Sequence, residues 1–291
     1  APKPTKPSLN VNVPEYSLVS QDFNFPTGLR IIVQSDDTQP IVSIFSFFDR
    51  GASDEKPDHD GMAHFVEHIW FRSIHGEDMP STWDVLFEEG CELNAWTSRD
   101  YTGYPATCPI EALPTLLKLE STRMTNYTDG VTEEMVTAER EVIRNELRMS
   151  QEQGSGRSFE FLLENLYPEG HPYSRNIIGH HETLDNIDLA DLTEFTEQNY
   201  RPENCTIVIV GDIQPEEASS LIFENFDLSL LDPELTPEDL FFYPKPGIDN
   251  PDRDNPDHWL TGAWAPGHRE EKVFYYLLDA PNRMESYGME P

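Results

Sequence analysis

Apolar positions along the chain follow two periods, and the changes between them mark out the elements. The stretches FNFPTGLRIIVQSD (23–36) and IVSIFSFFDRGASDE (41–55) are β-branched and aromatic runs bounded by Pro-Thr-Gly, Asp-Asp and Gly, which predicts strands. The run around HFVEH (64–68) keeps helical period without proline. Ser81 is placed to cap a short helix through Glu89, which Gly90 ends. The segment CELNAWTSRDYTGYPATC (91–108) reads as a hairpin, two alternating arms around Ser98-Arg99-Asp100-Tyr101. A register centred between Arg99 and Asp100 sets Cys91 opposite Cys108, which leaves open a cross-strand disulfide or two reduced thiols.

Further along, Leu113, Leu116, Leu117, Glu120 and Met124 keep helical spacing, with Pro114 in that helix's first turn. Thr132 to Met149 is rich in Glu, Arg, Met and Leu and free of Gly and Pro, the strongest helix in the chain. A QGSG loop (153–156) precedes a helix through Phe161 and Leu166. LTEFTEQNY then reads as helix, NCTIVIVGD as a buried strand ending at Gly211, and PEEASSLIFENF as a helix with Pro215 near its start. Strands and helices mix without regular βαβ repetition, so the fold class is α+β.

The pattern divides the chain of 291 residues into an extended, proline-rich arm (1–17), a main domain (18–227), a linker (228–258) and a final segment (259–291). The linker carries six prolines, many acids and few periodic apolar residues. In the last segment WLTGAWAPG and KVFYYLLDA could each be a strand, too few to make a domain alone. The opening APKPTKPSL resembles an arm left after removal of a signal sequence, which points to a periplasmic or secreted protein.

Charge changes the picture more than size does. With 54 Asp+Glu against 20 Lys+Arg, the formal net charge is −34, a surface that repels phosphate backbones and anionic lipid and attracts cations and basic peptides. Nucleic-acid binding is disfavoured, and no apolar run is long enough to span a membrane. Three cysteines, at 91, 108 and 205, fit neither a disulfide-rich scaffold nor a CxxC metal site; Cys205, inside CTIVIV, reads as a buried thiol.

The HFVEH run carries the candidate chemistry. On a helix His64 and His68 stand one turn apart, about 6 Å along the axis, and Glu67 points the same way. Three polar heads among Phe65, Val66, Ile69, Trp70 and Phe71 are costly unless something binds them, and a divalent metal is the natural candidate. HxxEH is a zinc-peptidase signature, the reverse of HExxH. Catalytic zinc takes three protein ligands and leaves a position for water, so a further ligand must come from elsewhere. In AEREVIRNELRMS, Glu139 and Glu146 are seven apart on one helix face; one could ligate and the other orient a ligand, and spacing does not say which. Glu141, among Arg140, Arg144 and Arg148, reads as a surface ion-pair residue.

HFVEH, then LNAWTSRDYTGY, EREVIRNE, HPYSRNIIG and NYRPENCTIVIVGD occur in an order that resembles the pitrilysin (M16) metallopeptidases, the inverzincins, over residues 18 to 227. The resemblance implies an M16-type domain, an antiparallel or mixed sheet packed by helices, forming one half of a clamshell with a C-terminal extension. It implies one zinc ion per chain, bound by His64, His68 and Glu146. Glu139 would support the site behind the ligands, and Glu67 would be the general base. Asn94 and Ala95 would lie on an edge strand along which the substrate peptide extends. His171 in HPYSR matches a family loop without a legible role. The implied activity is a zinc endopeptidase cleaving peptides or unfolded segments, working with a second M16-type half as a separate chain or a homodimer. A non-catalytic M16-type structural or partner subunit is the alternative, and the intact His64, Glu67, His68 and Glu146 set favours the enzyme.

Overall fold

The computed structural model describes residues 20–74, 80–152, 155–168 and 170–234. The predicted arm, nearly all of the predicted linker and the segment 259–291 therefore lie outside the described residues, as do His75, His258 and His268. Seven strands form a single sheet: β1 (Ser20–Asn24), β2 (Arg30–Ser35), β3 (Ile41–Phe48), β4 (Glu92–Leu93), β5 (Trp96–Thr97), β6 (Thr102–Pro109) and β7 (Cys205–Gly211). Their order is β1-β2-β7-β3-β6-β4, with β5 also paired to β6. Every pairing is antiparallel except β2 with β7, so the sheet is mixed.

Period-two burial fixes which face is core. In β3, Val42, Ile44, Ser46 and Phe48 are buried while Ser43, Phe45 and Phe47 are half-buried, and β7 buries Cys205, Ile207, Ile209 and Gly211 in the same alternation. A one-residue slip would turn each set to the wrong side. On the buried face pack α1 (Met62–Trp70), α3 (Leu113–Thr125), α7 (Leu189–Asn199) and α8 (Pro215–Asn225), joined by α2 (Thr82–Glu88), α4 (Glu133–Glu152), α5 (Ser155–Leu166), α6 (His181–Asp185) and α9 (Leu228–Leu231). The opposite face carries an aromatic row, with Phe45 5.2 Å from Trp96 and Phe47 stacked 4.9 Å from Tyr101.

The predicted caps are present: the Ser81 hydroxyl accepts from the Asp84 amide at α2, and Gly90 follows with φ of 77°. Two boundaries differ from the sequence reading. Helix α5 starts at Ser155, inside the expected QGSG loop, because glycine at 156 does not stop a helix whose later turns are apolar. Leu228–Leu231 are helical, with Leu230 and Leu231 buried and the Thr27 hydroxyl donating to the Leu230 carbonyl. The first turn of the expected linker is thus packed into the core, its two leucines outweighing the polar composition around them.

The hairpin has the predicted register: Glu92 faces Thr107, Leu93 faces Ala106, Trp96 faces Gly103 and Thr97 faces Thr102. Each pair is equidistant from the turn, so Cys91 meets Cys108 with 4.2 Å between Cα atoms, and the two form a disulfide. Cys205 is buried and unbonded. Thiol labelling of the denatured, unreduced chain is expected to find one sulfhydryl, and three after reduction; three before reduction would rule the bridge out.

Candidate metal centre

Helix α1 is held by its apolar stripe. Met62, Ala63, Phe65, Val66, Ile69 and Trp70 are buried, which leaves His64, Glu67 and His68 together on the remaining face. Phe65→Ala alone would remove about 3–5 kcal/mol of packing. The helix entry is a tight crossing. Gly61 has φ of 97°, and a Cβ there would stand 2.8 Å from the Ile178 carbonyl, while one on Gly179, at φ of 80°, would stand 2.3 Å from that of Asp60. The glycine that ends HPYSRNIIG is therefore needed where this loop passes the start of α1. Nearby, the Glu55 carboxylate, 4 % exposed, accepts from the amides of Gly61 (3.2 Å) and Ala63 (2.9 Å). Burial pushes its carboxyl well above the usual range, although both amides oppose the shift.

Beneath α1 lies a buried polar network. Tyr127 donates to the Val66 carbonyl at 3.0 Å, and the Tyr104 hydroxyl stands 2.9 Å from those of both Tyr127 and Tyr200. The Arg123 guanidinium, paired with Glu120, lies 4.1 Å from the Trp70 ring centre and 3.9 Å from that of Tyr104. The back of the helix is fixed by hydrogen bonds as well as by packing.

On the front, one nitrogen of His64, one of His68 and an oxygen of Glu146 lie within 4.8 Å of one another. Nε2 of His68 is 3.5 Å, and Nε2 of His64 3.8 Å, from Glu146 Oε2. Zinc bonds of 2.0–2.2 Å at tetrahedral angles separate ligand atoms by about 3.4 Å, so these spacings suit a single ion. Two imidazoles and one carboxylate are a donor set that catalytic zinc sites use. His64 is only 12 % exposed, and its Nδ1 is buried without a hydrogen-bond partner among the described residues. Burial, and then the charge of His68, lower its pKa to about 4, which keeps it neutral as a metal requires. His68 is the opposite case. Burial works against its charge, but Glu139 and Glu146 outweigh that and lift it to about 9.

Helix α4 supplies both acids. Glu139 Oε1 meets His68 Nδ1 at 2.8 Å, which turns Nε2 toward Glu146, and Arg72 Nε donates to Glu139 Oε2 at 2.8 Å. Burial opposes the Glu139 charge, yet His68 and Arg72 hold its carboxyl below the ordinary range. Glu146 is half exposed and likewise lowered, first by its hydrogen bond with His68. Glu67 stands outside this group, and its Oε2 accepts from the Thr97 hydroxyl at 2.6 Å. Burial raises its pKa against the effect of Thr97.

The structure therefore brings together His64, His68, Glu146 and Glu139, with Glu67 on the same helix face. Asn94 and Ala95 lie on the sheet edge, in the gap between β4 and β5: the Asn94 amide donates to the Pro105 carbonyl at 3.1 Å, and its side-chain oxygen accepts from the Ala95 amide at 2.9 Å. Thr97, two residues on, ties that edge to Glu67. Sequence reasoning missed Thr97, Arg72 and Glu55. Arg72 was within reach, four residues after His68 on the same face, whereas Thr97 and Glu55 meet α1 only through tertiary folding. Glu141 pairs with Arg144 at 2.5 Å as expected. His171 stacks on Tyr167, with 5.0 Å between ring centres.

Comparison with known proteins gives this geometry a family. Residues 30–180 match the family model of insulinase (peptidase family M16), and residues 186–278 that of the peptidase M16 inactive domain. A probable mitochondrial-processing peptidase subunit beta of Schizosaccharomyces pombe is 28% identical over 200 residues, 68% of this chain and 43% of that protein. The probable zinc protease PqqL of Escherichia coli is 31% identical over 193 residues, 63% of this chain and 20% of that one. The crystal structure of periplasmic PqqL superposes with a TM-score of 0.63 at 26% identity, covering 71% of this chain and 23% of that chain. A protease from Helicobacter pylori shares the fold with a TM-score of 0.64 at 23% identity, over 72% of this chain and 50% of that one. The chain spans less than half the length of these curated relatives, and the fold it shares is that of the M16 peptidase halves. On the family-model match over more than half its length, the chain belongs to the M16 (insulinase) peptidase family.

Proposed function

We propose that the chain is the metal-binding part of a zinc endopeptidase acting on peptides or unfolded segments. His64, His68 and Glu146 are the ligands, Glu139 the carboxylate behind His68, and Glu67 the general base. The observation that carries this reading is the approach of two imidazoles and a carboxylate from two helices within 4.8 Å, beside a carboxylate left out of the group. Zinc, when bound, supplies a Lewis acid for the scissile carbonyl and makes water acidic near neutrality. Glu67 takes the proton of the attacking water and passes it to the leaving amine, and its raised pKa suits both transfers. Thr97 holds one Glu67 oxygen and leaves the other to work. The edge at Asn94 and Ala95 receives the substrate in extended form, where main-chain hydrogen bonds give affinity without much sequence preference.

A second M16-type half, as a partner chain or a second copy, is part of this proposal, since the relatives are at least twice as long as the matched region. An extracytoplasmic setting is also proposed. The Cys91–Cys108 bridge suits an oxidising compartment, and PqqL, a relative, is described as periplasmic. Among the described residues no helix is long and apolar enough to cross a membrane.

Glu67→Gln is expected to keep its metal and lose about 10²–10⁴-fold in turnover. His64→Ala and Glu146→Ala should lose bound zinc by elemental analysis. Wild-type cleavage by Glu67→Gln, with its partner half supplied, would overturn the assignment of the base. pH supplies a separate measurement. Because the His68 pKa is raised to about 9, zinc must displace a proton from it below that pH. Apparent zinc affinity should climb by up to about tenfold per pH unit toward 9 and then level, with proton release visible by calorimetry in buffers of different ionisation heat.

A further inference from the structure

We propose that Arg72 is a positioning residue for the metal centre: its guanidinium fixes the Glu139 carboxylate and through it both the His68 imidazole and the reach of Glu146. This rests on the metal-site reading above. The observation is a relay of three side chains, His68 on α1, Glu139 on α4 and Arg72 just past α1: His68 Nδ1 to Glu139 Oε1 at 2.8 Å and Glu139 Oε2 to Arg72 Nε at 2.8 Å. Glu139 is only 7 % exposed, and each of its oxygens has one side-chain donor among the described residues. The terminal torsion of a glutamate is soft, so one hydrogen bond leaves the carboxylate plane free to turn, whereas two donors on opposite oxygens set it. With the plane set, Oε1 holds Nδ1–H and directs His68 Nε2 outward.

The same contact sets the two helices against each other. Arg72 stands just past the end of α1, one turn beyond His68, its amide bonded to the Ile69 carbonyl at 2.9 Å. Glu139 and Glu146 lie on one face of α4, two turns apart. A tie from the end of α1 to Glu139 therefore fixes how far along α4 the Glu146 carboxylate falls relative to the imidazoles. An ordinary surface ion pair would contribute little, and Arg72 itself is 55 % exposed, but its partner is a buried carboxylate that, among the described residues, loses its one donor on Oε2 if Arg72 is removed.

Zinc affinity of the full chain, measured by competition with a chromophoric chelator, tests this without reference to activity. Arg72→Ala and Arg72→Gln should weaken zinc binding about 10- to 100-fold, the usual effect of losing a partner behind a ligand, and Arg72→Lys should recover most of it. Glu139→Gln should cause a similar loss, and the double variant Arg72→Gln/Glu139→Gln should lose little more than either, because both act through one contact. Circular dichroism identifies any variant that fails to fold, in which case Arg72→Gln and Arg72→Lys decide. Wild-type affinity in folded Arg72→Gln, or losses that simply add in the double variant, would overturn the proposal while leaving the ligands intact if His64→Ala still abolishes binding. A wild-type chain that binds no zinc would overturn the metal reading and this proposal together.

Discussion

The burial of one face of α1 is the constraint on which the rest of the site depends. Phe65, Ile69 and Trp70 are fully enclosed, and their burial leaves no freedom for the helix to rotate about its axis. The polar face is then determined by helical periodicity rather than by any attraction among His64, Glu67 and His68, which would repel or compete if left unpartnered. Tyr127 on the Val66 carbonyl and the amides held by Glu55 fix the remaining degrees of freedom, axial slide and tilt. Packing orients the chemical groups, and hydrogen bonds then hold them in place.

Two histidines four residues apart on this helix show how far local surroundings override residue type. Both are enclosed, yet one is lowered to about 4 and the other lifted to about 9. The difference lies in the reach of α4, since Glu139 and Glu146 both meet His68, whereas His64 has a more distant Glu146 and an unpartnered Nδ1. One imidazole is ready to donate a lone pair at neutral pH, and the other must exchange a proton for an ion. In the proposed metal site that asymmetry would put the pH sensitivity of metal loading mainly on His68.

Much of this was legible in the chain, and the limits are physical ones. Elements with one strong period, such as β7, α3 and α4, follow directly from alternation and propensity, and the hairpin register followed from symmetry about its turn. Local composition misled at Leu228, where the burial of Leu230 and Leu231 outweighs a polar neighbourhood, and at Ser155, where a single glycine costs a helix too little to stop it. At the metal centre the spacing of Glu139 and Glu146 gave two acids on one face without assigning them. Their depth separates them, Glu139 at 7 % exposed bridging two donors and Glu146 at 50 % facing both imidazoles. Contacts between segments distant in sequence, such as Thr97 with Glu67 or Glu55 with the start of α1, carry no periodic signal.

The order of strands links the site to residues far from it. His64, His68, Glu139 and Glu146 all lie between residues 64 and 146, but the sheet on which α1 rests is completed by β7, which inserts between β2 and β3 from position 205 onward. Without β7, which bridges β2 and β3, the strands β1 and β2 lose their connection to the rest of the sheet. Long-range pairing of this kind is intrinsically slow, because loop-closure entropy is spent before the contacts that offset it. The proposed ligands are therefore encoded in less than a third of the chain, yet the sheet behind them is completed only by residues up to Gly211. A fragment ending after Glu146 would retain every proposed ligand and lack β7, which completes the sheet behind them.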